Sequence, residues 1–555
     1  MQETAFDAVI VGSGVAGGAA AQQLCEAGLR VLVLEAGAPV SDVSCTTPSI
    51  TALSEQQIQA RCYAFGENTH GYFVNDVHDP YSTGSGAPFS WIRAQAVGGK
   101  SLLWAGHCYR MGNLEFKAAE EDGVGEAWPL TEQEIASYYD RAERILQVQD
   151  TQVQDTQVQD APETLSAVAD AGPEFTAAAA MHLQTAFARQ GCKLVPARVS
   201  HSHTELRTRS ACIHCGGTTE ECLRPVSSSD STLAAAMRTG LLTLWTQATV
   251  QNVLTNASGR ATGVAGIRRS TGERFEATGR IIFLCASALE STRILLNSAS
   301  PAFPHGLGNS SGVLGHYLMD HVSGIVLTAT YESDKEGGKI LQRENSRAGM
   351  FYVPRWQNLG KQRDQTFLRG YGYQGFIMRA DHELLPCGRT KRASGRNAET
   401  SGGTGKTLLV RLAGFGEMLP YYDNFIEIDK EGRRDAAGIP VLRIHCRHRE
   451  NEIAMARNMA SSGLELLHAA GANVQQVQSI PSEPGLAIHE SGTCRMGSNP
   501  RTSVLNRFNQ CHDVPNVFVT DASSFPSIGV QNPVLTIMAM TLRACEYAVR
   551  QFFEK

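Results

Sequence analysis

The segment AVIVGSGVAGGAAAQQLCEAGLRVLVLE, residues 8–35, decides the fold of this chain. Residues 8–11 form a short apolar strand pattern, and the glycine-rich turn GSGVAG at 12–17 follows at once. A helical stretch then runs to Glu26, and residues 30–34 form a second apolar strand pattern. Strand, glycine-rich turn, helix and strand in this order predict a βαβ unit of the Rossmann type.

The three glycines of the turn and an acid at the end of the second strand predict a dinucleotide site. Gly12 makes the tight turn, Gly14 lets the backbone approach a pyrophosphate, and Gly17 lets the helix pack on the strand. Glu35 stands where a carboxylate accepts hydrogen bonds from the adenosine ribose. A glycine-rich turn alone is a weak signal, but the acid in register strengthens it. Because Glu35 would repel an extra phosphate, NAD or FAD is favoured over NADP.

Length and composition indicate a folded protein with at least two lobes. The chain has 555 residues, of which 42% are hydrophobic and 19% charged, and a single core stops growing at roughly 250 to 300 residues. The formal net charge of −6 encodes no global attraction to nucleic acid, so nucleic acid is not expected as a partner.

The amino terminus has neither the basic region of a secretory signal nor an apolar span, and no other stretch is long and apolar enough to cross a membrane. We therefore expect a cytoplasmic protein. The 14 cysteines are scattered along the chain, and several stand in apolar runs. They are interpreted as mostly free thiols.

Further strand and helix patterns indicate that the nucleotide domain is assembled from separated pieces. Strands are predicted at Leu242–Trp245, Val264–Ile267, Arg280–Leu284 and Val517–Thr520, and helices at Leu289–Leu296 and Pro533–Arg550. The predicted cofactor domain comprises residues 1–110, 206–300 and 485–555, and the predicted substrate domain comprises residues 111–205 and 301–484. A polar repeat of Gln, Val, Asp and Thr at about 146–160 predicts a surface loop or linker within the second domain.

Three further segments carry groups suited to chemistry. GGKSLLW at 98–104 places Gly98 and Gly99 beside an apolar run, which fits either a flat ligand or an ordinary tight turn. EPGLAIH at 483–489 ends in His489, which on its own is more often a core or capping residue than a catalyst. NPVLT at 532–536 begins with Asn532, which on its own fits the N-cap of the last helix.

Together these segments resemble the glucose-methanol-choline (GMC) oxidoreductase family over nearly the whole chain, in particular its branch with pyranose oxidase and glucoside 3-dehydrogenases. Shorter matches to that branch are Tyr109-Arg110, Trp128-Pro129, GHYLMDH at 315–321 and RGYGYQG at 369–375. The resemblance implies an α/β fold with a Rossmann-like FAD-binding domain and an inserted α+β substrate domain that contains an antiparallel sheet.

The resemblance also implies FAD as cofactor, His489 as the base that takes the alcohol proton, and Asn532 as its partner that orients the alkoxide. An imidazole with a pKa near neutrality suits proton removal, and an uncharged amide can hydrogen-bond the developing oxyanion. The predicted cofactor-binding residues are Gly12, Gly14, Gly17, Glu35, Gly98, Gly99, Ser101, Trp104, Val250, Asp521 and Asn532.

The chain departs from the family pattern at three places, one of which is the polar repeat at about 146–160, for which the family offers no function. Pyranose oxidase attaches FAD through a histidine just before the tryptophan of this segment, where this chain has Leu103, so we expect noncovalent FAD; the family gives nearby His107 no such role. Cys212, Cys215 and Cys222, with His201, His203 and His214 nearby, are open to zinc or an iron–sulfur cluster. Because their spacing does not match a four-cysteine site, no metal is predicted.

The sequence therefore predicts an FAD-dependent enzyme that oxidises an alcohol of a sugar or glycoside. The alternative substrate is a glycosylated natural product or an aminoglycoside intermediate, and a flavin-binding scaffold without activity is disfavoured because His489 and Asn532 are both present. The expected electron acceptor is a quinone, dye or cytochrome, or oxygen, with a dehydrogenase favoured over an oxidase.

Overall fold

The computed structural model describes most of the chain. The described residues are 6–42, 58–66, 69–148, 181–200, 225–332, 349–359, 364, 366–380, 382–384, 390–392 and 407–554. Most of the polar repeat and the whole segment with Cys212, Cys215 and Cys222 lie outside these ranges, so the predictions about them stay predictions.

The described part of the chain contains helices and strands with the following bounds. The helices are α1 (Val15–Glu26), α2 (Asn113–Phe116), α3 (Ala118–Asp122), α4 (Glu132–Ile145), α5 (Met181–Arg189), α6 (Thr232–Arg238), α7 (Ala288–Asn297), α8 (Glu450–Ala469) and α9 (Val534–Phe552). The strands are β1 (Phe6–Val11), β2 (Val31–Leu34), β3 (Ser82–Thr83), β4 (Val195–Pro196), β5 (Leu242–Trp245), β6 (Ala248–Thr255), β7 (Ala261–Arg268), β8 (Arg274–Leu284), β9 (Val322–Glu332), β10 (Gly349–Val353), β11 (Tyr371–Arg379), β12 (His382–Leu384), β13 (Thr390–Arg392), β14 (Thr407–Gly416), β15 (Phe425–Ile428), β16 (Leu442–His445), β17 (Asn473–Gln478) and β18 (Val517–Val519).

The first sheet is the predicted nucleotide-binding sheet. Its order is β5-β2-β1-β8-β7-β6, and β18 pairs with β8. The pairs among β5, β2, β1, β8 and β18 are parallel, whereas β6 and β7 extend the sheet in antiparallel pairs. Residues far apart in the chain, such as Val9, Ile282 and Val517, therefore lie in adjacent strands.

Small side chains allow close packing on this sheet. Helix α1 buries Ala16, Gly17 and Ala20 against it, and α9 contacts both α1 and α4. The apolar faces of these elements form two of the hydrophobic clusters of the described chain. This packing fixes the glycine-rich turn between β1 and α1.

The second large sheet is antiparallel, as the family resemblance implies. Its order is β17-β9-β14-β11-β10-β4, and α8 packs on it. Alternate residues of β9 and β14 are buried, the pattern of strands with one face on a core. A separate hydrophobic cluster joins this sheet to α8. The mixed α/β fold with an added antiparallel sheet is thus confirmed.

The predicted elements are confirmed with shifts at their ends, the largest at β8, which begins at Arg274 instead of the predicted Arg280. Strand β18 ends at Val519, one residue earlier than predicted, and α9 begins at Val534, after Pro533. Pro533 occupies the N-cap position of α9. The alternative interpretation of Asn532 as that N-cap is therefore wrong, because proline takes the position.

Candidate active site

The glycine-rich turn has the backbone geometry that its sequence predicted. Gly12 has φ +97°, and a Cβ there would lie 2.4 Å from the Cys285 carbonyl oxygen. A Cβ on Gly17 would lie 1.9 Å from the Gly12 carbonyl oxygen. A Cβ on Gly14 would instead meet nothing nearer than the Gly98 carbonyl oxygen at 4.0 Å. Gly12 and Gly17 therefore serve the turn itself, whereas Gly14 leaves open space beside the backbone.

The buried Ser13 hydroxyl links the glycine-rich turn by hydrogen bonds to Glu35 and to the segment at 98–104. The Ser13 backbone N–H and hydroxyl both donate to Glu35 Oε2, at 3.0 and 2.5 Å. The same hydroxyl accepts the Gly98 N–H at 2.9 Å. Gly37 N–H donates to Glu35 Oε1 at 2.7 Å. Since each carboxylate oxygen accepts up to two hydrogen bonds, Oε1 retains capacity for a ligand hydroxyl.

Gly98 and Gly99 both have positive φ, +108° and +55°, so the pair forms a turn that favours glycine. Ser101 donates to the Gly98 carbonyl at 2.6 Å and accepts the Ser228 N–H at 2.9 Å. Its hydroxyl is therefore engaged in holding the turn. A Cβ on Gly99 would lie 3.4 Å from the Gly14 Cα, which shows that the two glycine segments are adjacent.

A single continuous cavity connects this turn with the predicted catalytic pair. The predicted site residues that line it are Gly12, Gly14, Glu35, Gly99, Ser101, Trp104, Val250, His489, Asp521 and Asn532. Gly17 and Gly98 stand behind this surface and hold the turns that form it. Leu103 and His107 also line the cavity.

Two observations test whether these residues fit a bound FAD. The space beside Gly14 is open at the start of α1, where a pyrophosphate would meet backbone N–H groups. The buried Thr249 hydroxyl, beside Val250 on the cavity wall, has no hydrogen-bond partner among the described residues. A buried polar atom without a partner is costly unless a ligand or water satisfies it. Both features fit a dinucleotide in this cavity.

His489 and Asn532 meet in the same cavity although 43 positions separate them. His489 Nε2 lies 3.4 Å from the Asn532 side-chain nitrogen. Asn532 Oδ1 accepts a hydrogen bond from Gln374 Nε2 at 2.6 Å, which turns the amide nitrogen toward His489. Gln374 comes from β11 and Phe415 from β14, and both line the cavity. The predicted catalytic pair therefore lies beside residues of the second sheet.

Two residues that sequence reasoning left without a role contact His489 directly. His321 Nδ1 lies 2.9 Å from His489 Nδ1. The Asp320 carboxylate accepts the backbone N–H of His489 at 3.1 Å. Both stand in the segment GHYLMDH, and Gln374 stands in RGYGYQG, so family resemblance marked the segments but not the roles.

Burial shifts the pKa values at the site away from their usual ranges. It lowers the pKa of His489 well below that of a free imidazole, and positive charge on His321, Lys100 or His107 acts in the same direction. Burial raises the pKa of the Asp521 carboxyl, opposed by hydrogen bonds from Ser291 and Ser523. His489 is consequently neutral at physiological pH, the form that can accept a proton.

Comparison with family models assigns the chain. Residues 6–323 match the amino-terminal model and residues 420–541 the carboxy-terminal model of GMC oxidoreductases. The chain belongs to the GMC oxidoreductase family. Members of this GMC family are oxidoreductases that act on alcohol groups and generally bind FAD.

Individual relatives of this GMC protein cover nearly its whole length. It is 29% identical to 2-methyl-1,2-propanediol dehydrogenase from Mycolicibacterium austroafricanum, over 98% of this chain and 95% of that protein. It is 25% identical to 6'''-hydroxyparomomycin C oxidase from Streptomyces lividus, over 97% and 90%. Pyridoxine 4-oxidase from Mesorbium loti has the same fold, with a TM-score of 0.60, 17% identity and 99% of each chain covered.

The predictions about membranes, thiols and metals have different outcomes. Among the described helices, none is both long and apolar enough to cross a membrane. All nine cysteines within the described ranges are free and buried, as expected. The described ranges contain no group of three or more His, Cys, Asp or Glu side chains placed to hold a metal ion, but they do not include the predicted cysteine group.

Proposed function

We propose that this GMC oxidoreductase uses FAD to oxidise a CH–OH group to a carbonyl, with His489 as general base and Asn532 orienting the alcohol oxygen. The observation that carries the proposal is the 3.4 Å separation of His489 Nε2 and Asn532 Nδ2 in one cavity with the dinucleotide turn. These two nitrogens offer an acceptor and a donor to the same point.

An alcohol hydroxyl within hydrogen-bond distance of both nitrogens would be held both as a donor and as an acceptor. Its O–H would donate to His489 Nε2, and its oxygen would accept from the Asn532 amide. Moving the proton to Nε2 builds negative charge on the oxygen, and the amide donor stabilises that charge without a charge of its own. Gln374 keeps the amide nitrogen, rather than its oxygen, turned toward this point.

The residues around the glycine-rich turn would hold the cofactor. Gly14 leaves room for the pyrophosphate, Glu35 would accept a ribose hydrogen bond, and Val250 and Asp521 line the same cavity. When bound, FAD supplies the acceptor for the hydride that leaves the carbinol carbon. Because Leu103 replaces the linking histidine of pyranose oxidase, we propose that the cofactor is held without a covalent bond.

The proposed substrate is a polyhydroxylated molecule, namely a sugar or glycoside. His107, a polar side chain that lines the cavity together with the catalytic pair, suits a hydroxyl next to the reacting one. The similarity to a diol dehydrogenase supports a substrate with adjacent hydroxyls. The similarity to an aminoglycoside oxidase supports the second candidate, a glycosylated natural product.

We further propose that the acceptor is a quinone or dye rather than oxygen. The support is the resemblance of GGKSLLW, GHYLMDH and RGYGYQG to the glucoside dehydrogenase branch, together with Leu103. Rapid mixing of reduced enzyme with aerated buffer, or with a quinone at the same concentration, tests this. Reoxidation by oxygen as fast as by quinone would identify an oxidase.

The function itself is tested by anaerobic mixing of the purified yellow protein with a panel of alcohols. The panel contains a simple alcohol, a vicinal diol, a glucoside and an aminoglycoside, and the readout is loss of flavin absorbance. Bleaching by glucoside or diol is expected in the wild type, and in His489→Ala it should be slower by about 10² to 10⁴-fold. Absence of bleaching by every alcohol would support a scaffold without activity and contradict the proposal.

A further inference from the structure

His321 lies between the two loops that carry the catalytic pair. It is buried immediately before β9, with 1% of its surface exposed. Its Nδ1 lies 2.9 Å from His489 Nδ1, and its Nε2 lies 3.0 Å from the Gly529 carbonyl oxygen. Gly529 stands three residues before Asn532. One imidazole therefore contacts the His489 loop on one side and the Asn532 loop on the other.

The hydrogen-bond partners of His321 determine which ring nitrogens of His321 and His489 carry a hydrogen. A carbonyl oxygen only accepts, so His321 Nε2 must carry the hydrogen of that contact. A neutral imidazole has one N–H, which leaves His321 Nδ1 as an acceptor. The 2.9 Å contact between the two Nδ1 atoms then requires the hydrogen on His489. His489 Nε2 is left without a hydrogen, facing Asn532.

For His489 to carry its hydrogen on Nε2 instead of Nδ1, His321 would have to be doubly protonated. In that state its Nδ1–H would donate to His489, whose own hydrogen would move to Nε2 and block the base. Burial opposes this state because it lowers the pKa of His321 to about 4. Lys100, which pairs with Glu490 at 2.7 Å, and His107 are the other positive or titratable groups that act on His489.

Asp320 fixes the backbone from which His489 projects. Its buried carboxylate accepts N–H groups from Gly485 at 2.7 Å, Ala487 at 3.2 Å and His489 at 3.1 Å. Ile488 in this turn has φ +64°, a conformation that is costly for a β-branched residue and persists only when its surroundings hold it. The three hydrogen bonds hold the turn, so the His489 ring is brought to His321 in one position.

We propose that His321 is a positioning residue that fixes the Nδ1–H tautomer of His489 and thereby makes Nε2 the base. The proposal rests on the proposed function of His489. When the alcohol proton moves to Nε2, both ring nitrogens of His489 carry hydrogen, and Nδ1–H keeps His321 as its acceptor. No side chain has to move during the transfer. Adjacent residues, Asp320 and His321, thus hold the backbone and the ring of the same histidine.

Two His321 variants of similar shape test the role of His321 Nδ1 as a hydrogen-bond acceptor. In His321→Asn the amide oxygen can replace Nδ1 as acceptor, whereas His321→Leu has the same branching and accepts nothing. Both lose the bond to Gly529, so that loss cancels in the comparison. We expect His321→Leu to lower the limiting rate of flavin reduction about 10- to 100-fold, the range for a buried donor left unpaired. His321→Asn should stay within about threefold of wild type, and KM should change little in either.

A second readout needs no turnover. In holoenzyme labelled with 15N-histidine, solid-state NMR distinguishes a protonated from an unprotonated ring nitrogen, and His489→Gln assigns the signals by their loss. We expect His489 to be protonated at Nδ1 alone in wild type and His321→Asn. Protonation at Nε2 in the wild type would overturn the proposal, even if His321→Leu failed to fold.

The kinetic outcomes separate this proposal from the function on which it rests. If His321→Leu equals His321→Asn while His489→Ala is inactive, His321 does not set the tautomer. If His489→Ala keeps its activity, the proposed base is wrong and the tautomer proposal falls with it.

Discussion

Gln374 should act on catalysis through the orientation of the Asn532 amide. Its Nε2 donates to Asn532 Oδ1 at 2.6 Å, so that Asn532 Nδ2 faces His489. In Gln374→Met, which keeps the length but has no donor, the amide can turn over and present its oxygen to the substrate. A net hydrogen bond of about 0.5 to 1.5 kcal/mol sets this preference. We therefore expect the limiting rate of flavin reduction to fall about 2- to 13-fold.

Gln374→Glu reverses the hydrogen bond instead of deleting it. A carboxylate only accepts, so it would draw the Asn532 amide nitrogen away from the alcohol oxygen. The expected loss is larger, about 10²-fold, close to that of Asn532→Ala. The assay is anaerobic stopped-flow absorbance at saturating alcohol, with the flavin spectrum and thermal unfolding as controls for folding.

The decisive comparison places Gln374→Met in the Asn532→Ala background. If Gln374 acts by orienting the amide, its substitution has nothing left to disturb there, and the further loss should be below twofold. A loss in the double variant as large as in the single variant would refute the reasoning and indicate that Gln374 contacts the substrate directly.

Three further predictions concern the cofactor and the base. Gly14→Val should abolish FAD retention, because the open space beside Gly14 becomes filled; retention at wild-type stoichiometry, measured after gel filtration, would contradict this. Acid precipitation should release intact FAD into the supernatant because Leu103 cannot form the link, and yellow colour in the pellet would show a covalent bond. Burial lowers the pKa of His489, so its neutral form persists below 6.5. Between pH 6.5 and 5.5 the rate of flavin reduction should therefore fall less than twofold. If the base had a pKa of 6.5, the rate would fall about fivefold over the same interval. Asp320 does not confuse this test, because burial raises the pKa of its carboxyl to about 7 and it titrates mainly above this interval.

Local patterns in the sequence predicted the first βαβ unit almost completely. The strand, the turn at Gly12 and the helix follow from neighbours along the chain, and Glu35 directly follows the second strand. The separate strands β8 and β18 were also predicted, because short apolar runs mark buried parallel strands.

The arrangement around the proposed base depends on contacts that no local pattern encodes. His489 and Asn532 were singled out through family resemblance, since each alone fits an ordinary structural role. His321 contacts His489 across 168 positions and Gln374 contacts Asn532 across 158. Such contacts arise only when the chain folds and brings the elements of the antiparallel sheet next to the loops that carry His489 and Asn532. Their segments could be recognised, but not the hydrogen bonds that give them a role.

The most direct test of the proposed chemistry is the rate of anaerobic flavin reduction in His489→Ala. If His489 Nε2 takes the alcohol proton, this rate should fall about 10² to 10⁴-fold while the flavin spectrum and FAD content stay native. His489→Ala combined with Asn532→Ala should fall less than the product of the single losses, because both residues act on one oxygen. A loss smaller than tenfold in His489→Ala would show that His489 is structural and would contradict the proposed function.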